Sequence, residues 1–193
     1  MNRSADMDMS GLEQLSGFAR LVDASVLARA QRGDMQAFAT LYTHFGQACY
    51  GLALRLTGNK AQAEDLVQEV FLKLIETIRS YRGDAPFGAW LKRMTANAAI
   101  DHLRKNKRFV DADPDAMFAG LDAPESGPAQ KLDAAALLQR LPPRARAVVV
   151  LHQIEGYTHT EIAELFGQSE SYSKSILSRG LQRLHAIVAP AEA

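Results

Sequence analysis

A single cysteine, Cys49, occurs in 193 residues, which excludes an internal disulfide and any Cys-rich zinc site. Cys49 falls on an apolar helical stripe, as expected of a core thiol. Net charge is also missing: 22 Lys plus Arg balance 22 Asp plus Glu, so overall charge suggests no nucleic-acid partner. No apolar run reaches the roughly 18 residues of a membrane span. The first ten residues are polar, with Asp6 and Asp8, unlike the basic-then-apolar layout of a secretory leader. A cytoplasmic, soluble protein is the expectation. Sustained period-two alternation is missing too, which argues against β-structure.

What is present has helical spacing. Phe38, Leu41, Phe45, Cys49, Leu52 and Leu56 recur every three or four residues until Gly58-Asn59. Leu66, Val67, Val70, Phe71, Leu74, Ile75 and Ile78 form a second stripe, and Trp90, Leu91, Met94, Ala98, Ile100 and Leu103 a third. A shorter helix is expected from about Asp23 to Arg32. Between Phe109 and Gln130 the pattern stops. That stretch holds three prolines, no Lys or Arg, and the acids Asp111, Asp113, Asp115, Asp122 and Glu125, as in a flexible linker. Helical patterning resumes from Leu132, with a helix start at Leu141-Pro142-Pro143. The expected fold is all-α: two small helical domains joined by an acidic linker. The expected boundaries are an N-terminal extension over 1–22, a first domain over 23–108, the linker over 109–130 and a second domain over 131–193.

Charge is neutral overall but not evenly spread. Phe87 to Arg108 carries Lys92, Arg93, Arg104, Lys105, Lys107 and Arg108 against Asp101 alone, an electrostatic footprint for a polyanion. A solvated basic helix end explains the same pattern, with Phe87 and Trp90 as core residues. In the second domain, Thr158 and Glu161 have capping-box spacing, and Gly167 can end the short helix they start. Ser169 can cap the next helix, which has no acid between Glu170 and Ile187. Two short helices on a tight glycine turn are the requirement of a helix-turn-helix. Ser171, Tyr172, Ser173 and Ser175 there offer hydroxyls to phosphates or base edges. His152 and His159 lack further ligands for a metal, and no cofactor motif occurs.

These residues resemble a known family, the sigma-70 family of RNA polymerase sigma factors. Asp65-Leu66-Val67-Gln68-Glu69-Val70-Phe71-Leu72-Lys73-Leu74 resembles its polymerase-docking helix. Phe87 to Arg108 resembles its −10 promoter helix, and Leu141-Pro142-Pro143-Arg144 through Leu184 its −35-binding domain. Two domains and a short linker resemble the extracytoplasmic-function (ECF) subgroup.

The resemblance implies core RNA polymerase and promoter DNA as partners, together with an unidentified anti-sigma factor. It implies no enzymatic activity. It assigns Asp65, Gln68 and Glu69 to polymerase docking and Arg82, Phe87, Asn97, Arg104 and Lys105 to the −10 element, with the loop Arg82 to Phe87 holding a flipped base. It assigns Tyr172, Lys174, Ser175 and Arg179 to the −35 element. Two departures stand out: Ile176 replaces the arginine usual in the recognition helix, and Gly180 stands where alanine is common. Three rival readings are a free-standing dimeric regulator, an enzyme using His44, His102, His152 or His159, and an interaction module for an acidic partner. The docking helix has no use in a simple regulator, and no histidine lies in a catalytic or metal motif.

Overall fold

A computed structural model describes residues 17–105, 118 and 134–188. Among them there are eight α-helices and no strand: α1 Ala24–Gln31, α2 Met35–Thr57, α3 Lys60–Thr77, α4 Phe87–Lys105, α5 Ala134–Gln139, α6 Pro143–Val149, α7 His159–Phe166 and α8 Glu170–Val188. One-turn 3₁₀ helices lie at Gly17–Ala19 and Ile78–Ser80, and α6 runs on into a π-turn, Val150–Ile154. Most of the expected linker lies outside the described residues.

Local signals fix the helix ends. Asp23 caps α1, accepting from the Ser25 backbone N–H at 2.7 Å. Asn59 does the same for α3 through the Gln62 N–H. Pro143 occupies the first turn of α6, where its missing N–H costs nothing.

Among the described residues two compact units emerge, one drawn from 17–52 and 64–96, the other from 53–63, 97–105, 118 and 134–188. In the first, Phe38, Leu41, Phe45, Cys49 and Leu52 of α2 are buried. So are Leu66, Val67, Val70, Phe71 and Leu74 of α3, and Ile78 just beyond it. Ile75, expected on that stripe, is 41% exposed, because the neighbouring helices cover a narrower arc than the pattern allows. Burial pushes the Cys49 thiol up to about 11. Gly88 is required where it stands, since a Cβ there would lie 1.9 Å from the Phe18 carbonyl oxygen.

The second unit is built around α6, the π-turn, α7 and α8. Its core holds Leu141, Val148, Val150, Leu151, Ile162, Phe166, Ile176 and Leu177. Gly180 faces α6, and a Cβ there would press on Val149 Cγ2 at 3.0 Å, a physical reason for glycine at that position. Arg146 is buried and donates to the carbonyls of Leu56 (3.2 Å) and Thr57 (2.6 Å) and to Gln139 Oε1 (2.9 Å). It thereby satisfies end carbonyls of α2 that no helical partner reaches. Burial holds its guanidinium below the ordinary arginine range.

Candidate polymerase and nucleic-acid interfaces

Three sets of surface residues were expected to carry function, and each rests on different elements. On α3, Asp65, Gln68 and Glu69 are all exposed, because the apolar stripe on the other side of the helix faces inward. They line an open surface concavity of about 520 Å³ with Leu72, Lys73, Glu76 and Thr77. Leu72 is 65% exposed there. Sequence periodicity left Leu72 out of the core stripe but attached no role to it. A bare leucine among Asp65, Gln68, Glu69, Lys73 and Glu76 is the feature that the pattern alone did not flag.

The loop Arg82 to Pro86 is exposed throughout yet held at its base. The Tyr81 hydroxyl donates to the Ala85 carbonyl at 2.7 Å, closing the loop. Gln31 donates to the Tyr81 carbonyl at 3.0 Å, and Gly83 supplies a positive φ of 84°. Beneath it the Tyr81, Phe87 and Trp90 rings pack with centroids 5.4 to 5.9 Å apart, and Phe45 lies 5.5 Å from Phe87.

Phe87, expected to contact a −10 base, is only 5% exposed. That expectation is corrected: aromatic packing commits the ring to the core, and Phe87 acts as the loop's floor. Arg82 keeps its side chain on the surface. Further along α4, Asn97 is half-buried and Arg104 and Lys105 are exposed. Arg104 lies 3.5 Å from Asp101 and donates to the Leu165 carbonyl at 2.5 Å. Lys107 and Arg108 lie outside the described residues.

The helix-turn-helix forms as its capping residues dictate. Thr158 Oγ1 accepts from the Glu161 N–H at 3.2 Å, and the Glu161 carboxylate accepts from the Thr158 N–H at 2.8 Å. This reciprocal box starts α7. Gly167 ends it at φ 63°, and Ser169 accepts from the Tyr172 N–H at 3.1 Å to start α8. Replacing Thr158 with Ala should cost about 1 kcal/mol of stability, read from the urea midpoint; an unchanged midpoint would deny the cap its role.

Within α8 the burial pattern separates inward-facing from outward-facing residues. Ser173, Ile176, Leu177 and Gly180 face inward, whereas Ser171, Lys174 and Ser178 are exposed and Ser175 and Arg179 half-buried. The hydroxyl of Ser173, offered above as a DNA contact, is 1% exposed and bonds to His159 Nδ1 at 3.0 Å instead. Tyr172 is half-buried, and its hydroxyl accepts from Arg144 Nη1 at 2.6 Å. The Arg144 guanidinium also lies over the Tyr172 and Phe166 rings, 5.5 and 6.0 Å from their centroids. Tyr172 is thus anchored to α6 as well as placed near the helix start.

Lys174 reaches Glu170 at 3.4 Å. The Glu170 carboxyl is held below its usual range by the Thr160 hydroxyl first and by Lys174 second. No group of three metal-ligating side chains occurs among the described residues, and none of the described helices is long and apolar enough to cross a membrane.

Known proteins match this organisation. The family described as Sigma-70 region 2 matches residues 41–109, and Sigma-70, region 4 matches residues 131–184. The RNA polymerase sigma factor CarQ of Myxococcus xanthus is 32% identical over 170 residues, covering 86% of this chain and 97% of that protein. The ECF RNA polymerase sigma factor SigE of Mycolicibacterium smegmatis is also 32% identical, over 84% of this chain. The chain spans 65% of that longer relative's length. Among solved structures, the sigma factor RpoE of Bartonella quintana, in complex with the anti-sigma factor NepR, is 26% identical with a TM-score of 0.51. It covers 74% of this chain and 90% of that one. The chain therefore belongs to the sigma-70 family of RNA polymerase sigma factors, in its extracytoplasmic-function group.

Proposed function

We propose that this protein binds core RNA polymerase through the acid-and-leucine face of α3 and directs initiation at promoters with −35 and −10 elements. As a sigma factor it is an initiation factor and not an enzyme. In this reading α8 enters the −35 major groove with Ser171, Lys174, Ser175, Ser178 and Arg179 outward. The loop Arg82 to Pro86 and the basic end of α4, with Asn97, Arg104 and Lys105, engage the −10 strand once it is unpaired. No covalent step is involved: contacts to the unpaired strand offset the cost of separating it.

The observation that carries the reading is the sorting of α8 into a buried support face and an outward face free of acids after Glu170. This is the form in which a helix presents short polar and basic side chains to base edges and phosphates. The remaining parts follow from family membership and from the exposed docking face. The domain scheme goes with it, residues 23–108 acting on polymerase and the −10 element and 131–193 on the −35 element. A cytoplasmic location and control by an anti-sigma factor complete the proposal, the latter because RpoE of Bartonella quintana is held by such a partner.

Run-off transcription with purified core polymerase and a promoter library tests it directly. Transcripts sharing a two-part upstream element are expected. No initiation and no core binding would leave the free-standing regulator as the better account. On the promoter recovered, Lys174→Ala should weaken binding and lower the salt slope by about one ion. An unchanged slope would remove Lys174 from the phosphate contacts.

A further inference from the structure

His152, at the end of the α6 segment, and His159, the first residue of α7, stack with ring centroids 4.3 Å apart and planes inclined by 20°. Each ring is also tied down. His152 Nδ1 donates to the Tyr157 carbonyl at 2.8 Å, which leaves Nε2 as the site for an added proton. His159 Nδ1 shares a hydrogen bond of 3.0 Å with Ser173 Oγ. Ser173 is 1% exposed and sits on the inner side of α8, between Tyr172 and Lys174. The hydrogen bond therefore joins the two helices of the helix-turn-helix at the start of the recognition helix.

We infer that the stacked pair His152–His159 is a proton-sensitive clasp that positions the recognition helix, holding α7 to α8 when neutral and loosening when protonated. The inference rests on the reading of α8 as the −35 reader. Protonating both rings would set two cations face to face at 4.3 Å. It would also place His159⁺ at the first position of α7, where the helix dipole already disfavours a cation.

The charged groups around His159 are known from each side. From α8, Lys174 adds to the repulsion and Glu170 opposes it; from the α6 segment comes His152. On α7 itself, the Glu161 carboxylate is engaged in the capping box with Thr158. Burial first, then His152 and Lys174, hold the His159 imidazole below its ordinary value of 6.5. A histidine whose folded value lies below its unfolded one stabilises the fold above the ordinary value. That contribution is lost as the pH falls through this region.

Two measurements on the full chain separate this inference from the −35 reading. NMR titration of the histidine ring protons, with amide exchange along α8, needs no DNA. His159 should titrate below an ordinary histidine, and exchange at residues 171–175 should accelerate as it does. His152→Gln should raise the His159 midpoint. Promoter affinity in complex with core polymerase is then compared between wild type and His159→Asn, which retains polar hydrogen-bonding groups but takes no proton. From about pH 8 to about pH 5, a window that extends below the ordinary histidine range because His159 titrates low, the wild-type to variant affinity ratio should fall at least about twofold, most of it below about pH 6.

An ordinary His159 midpoint, or exchange at 171–175 indifferent to it, overturns the clasp. A ratio that stays flat or rises overturns its hold on DNA reading. Clasp titration as expected, with no −35 binding at any pH, would instead overturn the assignment of α8 as reader.

Discussion

Ile176→Asp should remove roughly 4 kcal/mol or more from the stability of the protein, the range reached when an uncompensated charge is buried. Ile176 is fully buried on the inner face of α8, three residues beyond Ser173 and four before Gly180. Aspartate there leaves a cavity and a carboxylate with too short a side chain to reach water. Against a typical domain stability of about 5–15 kcal/mol, that is a large fraction of the whole. Urea unfolding followed by circular dichroism is the measurement, since the single tryptophan, Trp90, lies in the other unit. Ile176→Val should cost only about 0.5–1.5 kcal/mol.

The promoter consequence follows from the same burial. Ile176 packs inside the second unit, so in the proposed reading it supports the helix that contacts DNA and makes no contact with DNA itself. −35 binding by Ile176→Asp should therefore fall together with stability. A variant that unfolds like wild type but loses the −35 contact would place Ile176 at the DNA.

Which parts of this were legible in the sequence depends on how local their physics is. Helix ends were legible because caps are decided within four residues: Thr158 with Glu161, Gly167 and Ser169 act as their spacing indicates. The stripe of α2 was legible because a long helix covered on one side repeats its pattern many times.

Ile75 and Leu72 were harder. Period gives the direction of a buried face but not its width, and width depends on neighbours far away in sequence. Phe87 and Ser173 show the same limit at single residues. An aromatic beside a basic helix suits both a core and a stacking platform, and a hydroxyl on a recognition helix suits both DNA and a neighbouring side chain. Only the packing of Phe45, Tyr81 and Trp90, and the ring of His159, distinguish them. The His152–His159 stack had no local sign at all, because Gly156 and the π-turn bring together two rings seven positions apart.

Leu72→Lys should separate folding from polymerase binding. Leu72 is 65% exposed, so its replacement removes little that the folded chain buries, and the stability change should stay within about 0.5 kcal/mol. Binding to core polymerase should respond very differently. An apolar side chain surrounded by Asp65, Gln68, Glu69, Lys73 and Glu76 matches the layout of an interface anchor, with an apolar centre that loses water on docking and a polar rim. Truncating or charging such an anchor costs about 2 kcal/mol or more, roughly a thirtyfold loss of affinity. The surrounding acids should behave as a rim: Asp65→Lys and Glu69→Lys should mainly slow association and change its salt dependence. Association and dissociation rates of the full chain on immobilised core polymerase, at two ionic strengths, resolve the two effects. If Leu72→Lys binds as wild type does, the docking face lies elsewhere on the first unit. If it binds poorly and also unfolds early, Leu72 contributes to the fold in a way its exposure does not suggest. A thirtyfold loss with an unchanged unfolding midpoint would make this leucine the centre of the polymerase contact, with Asp65, Gln68 and Glu69 as its surround.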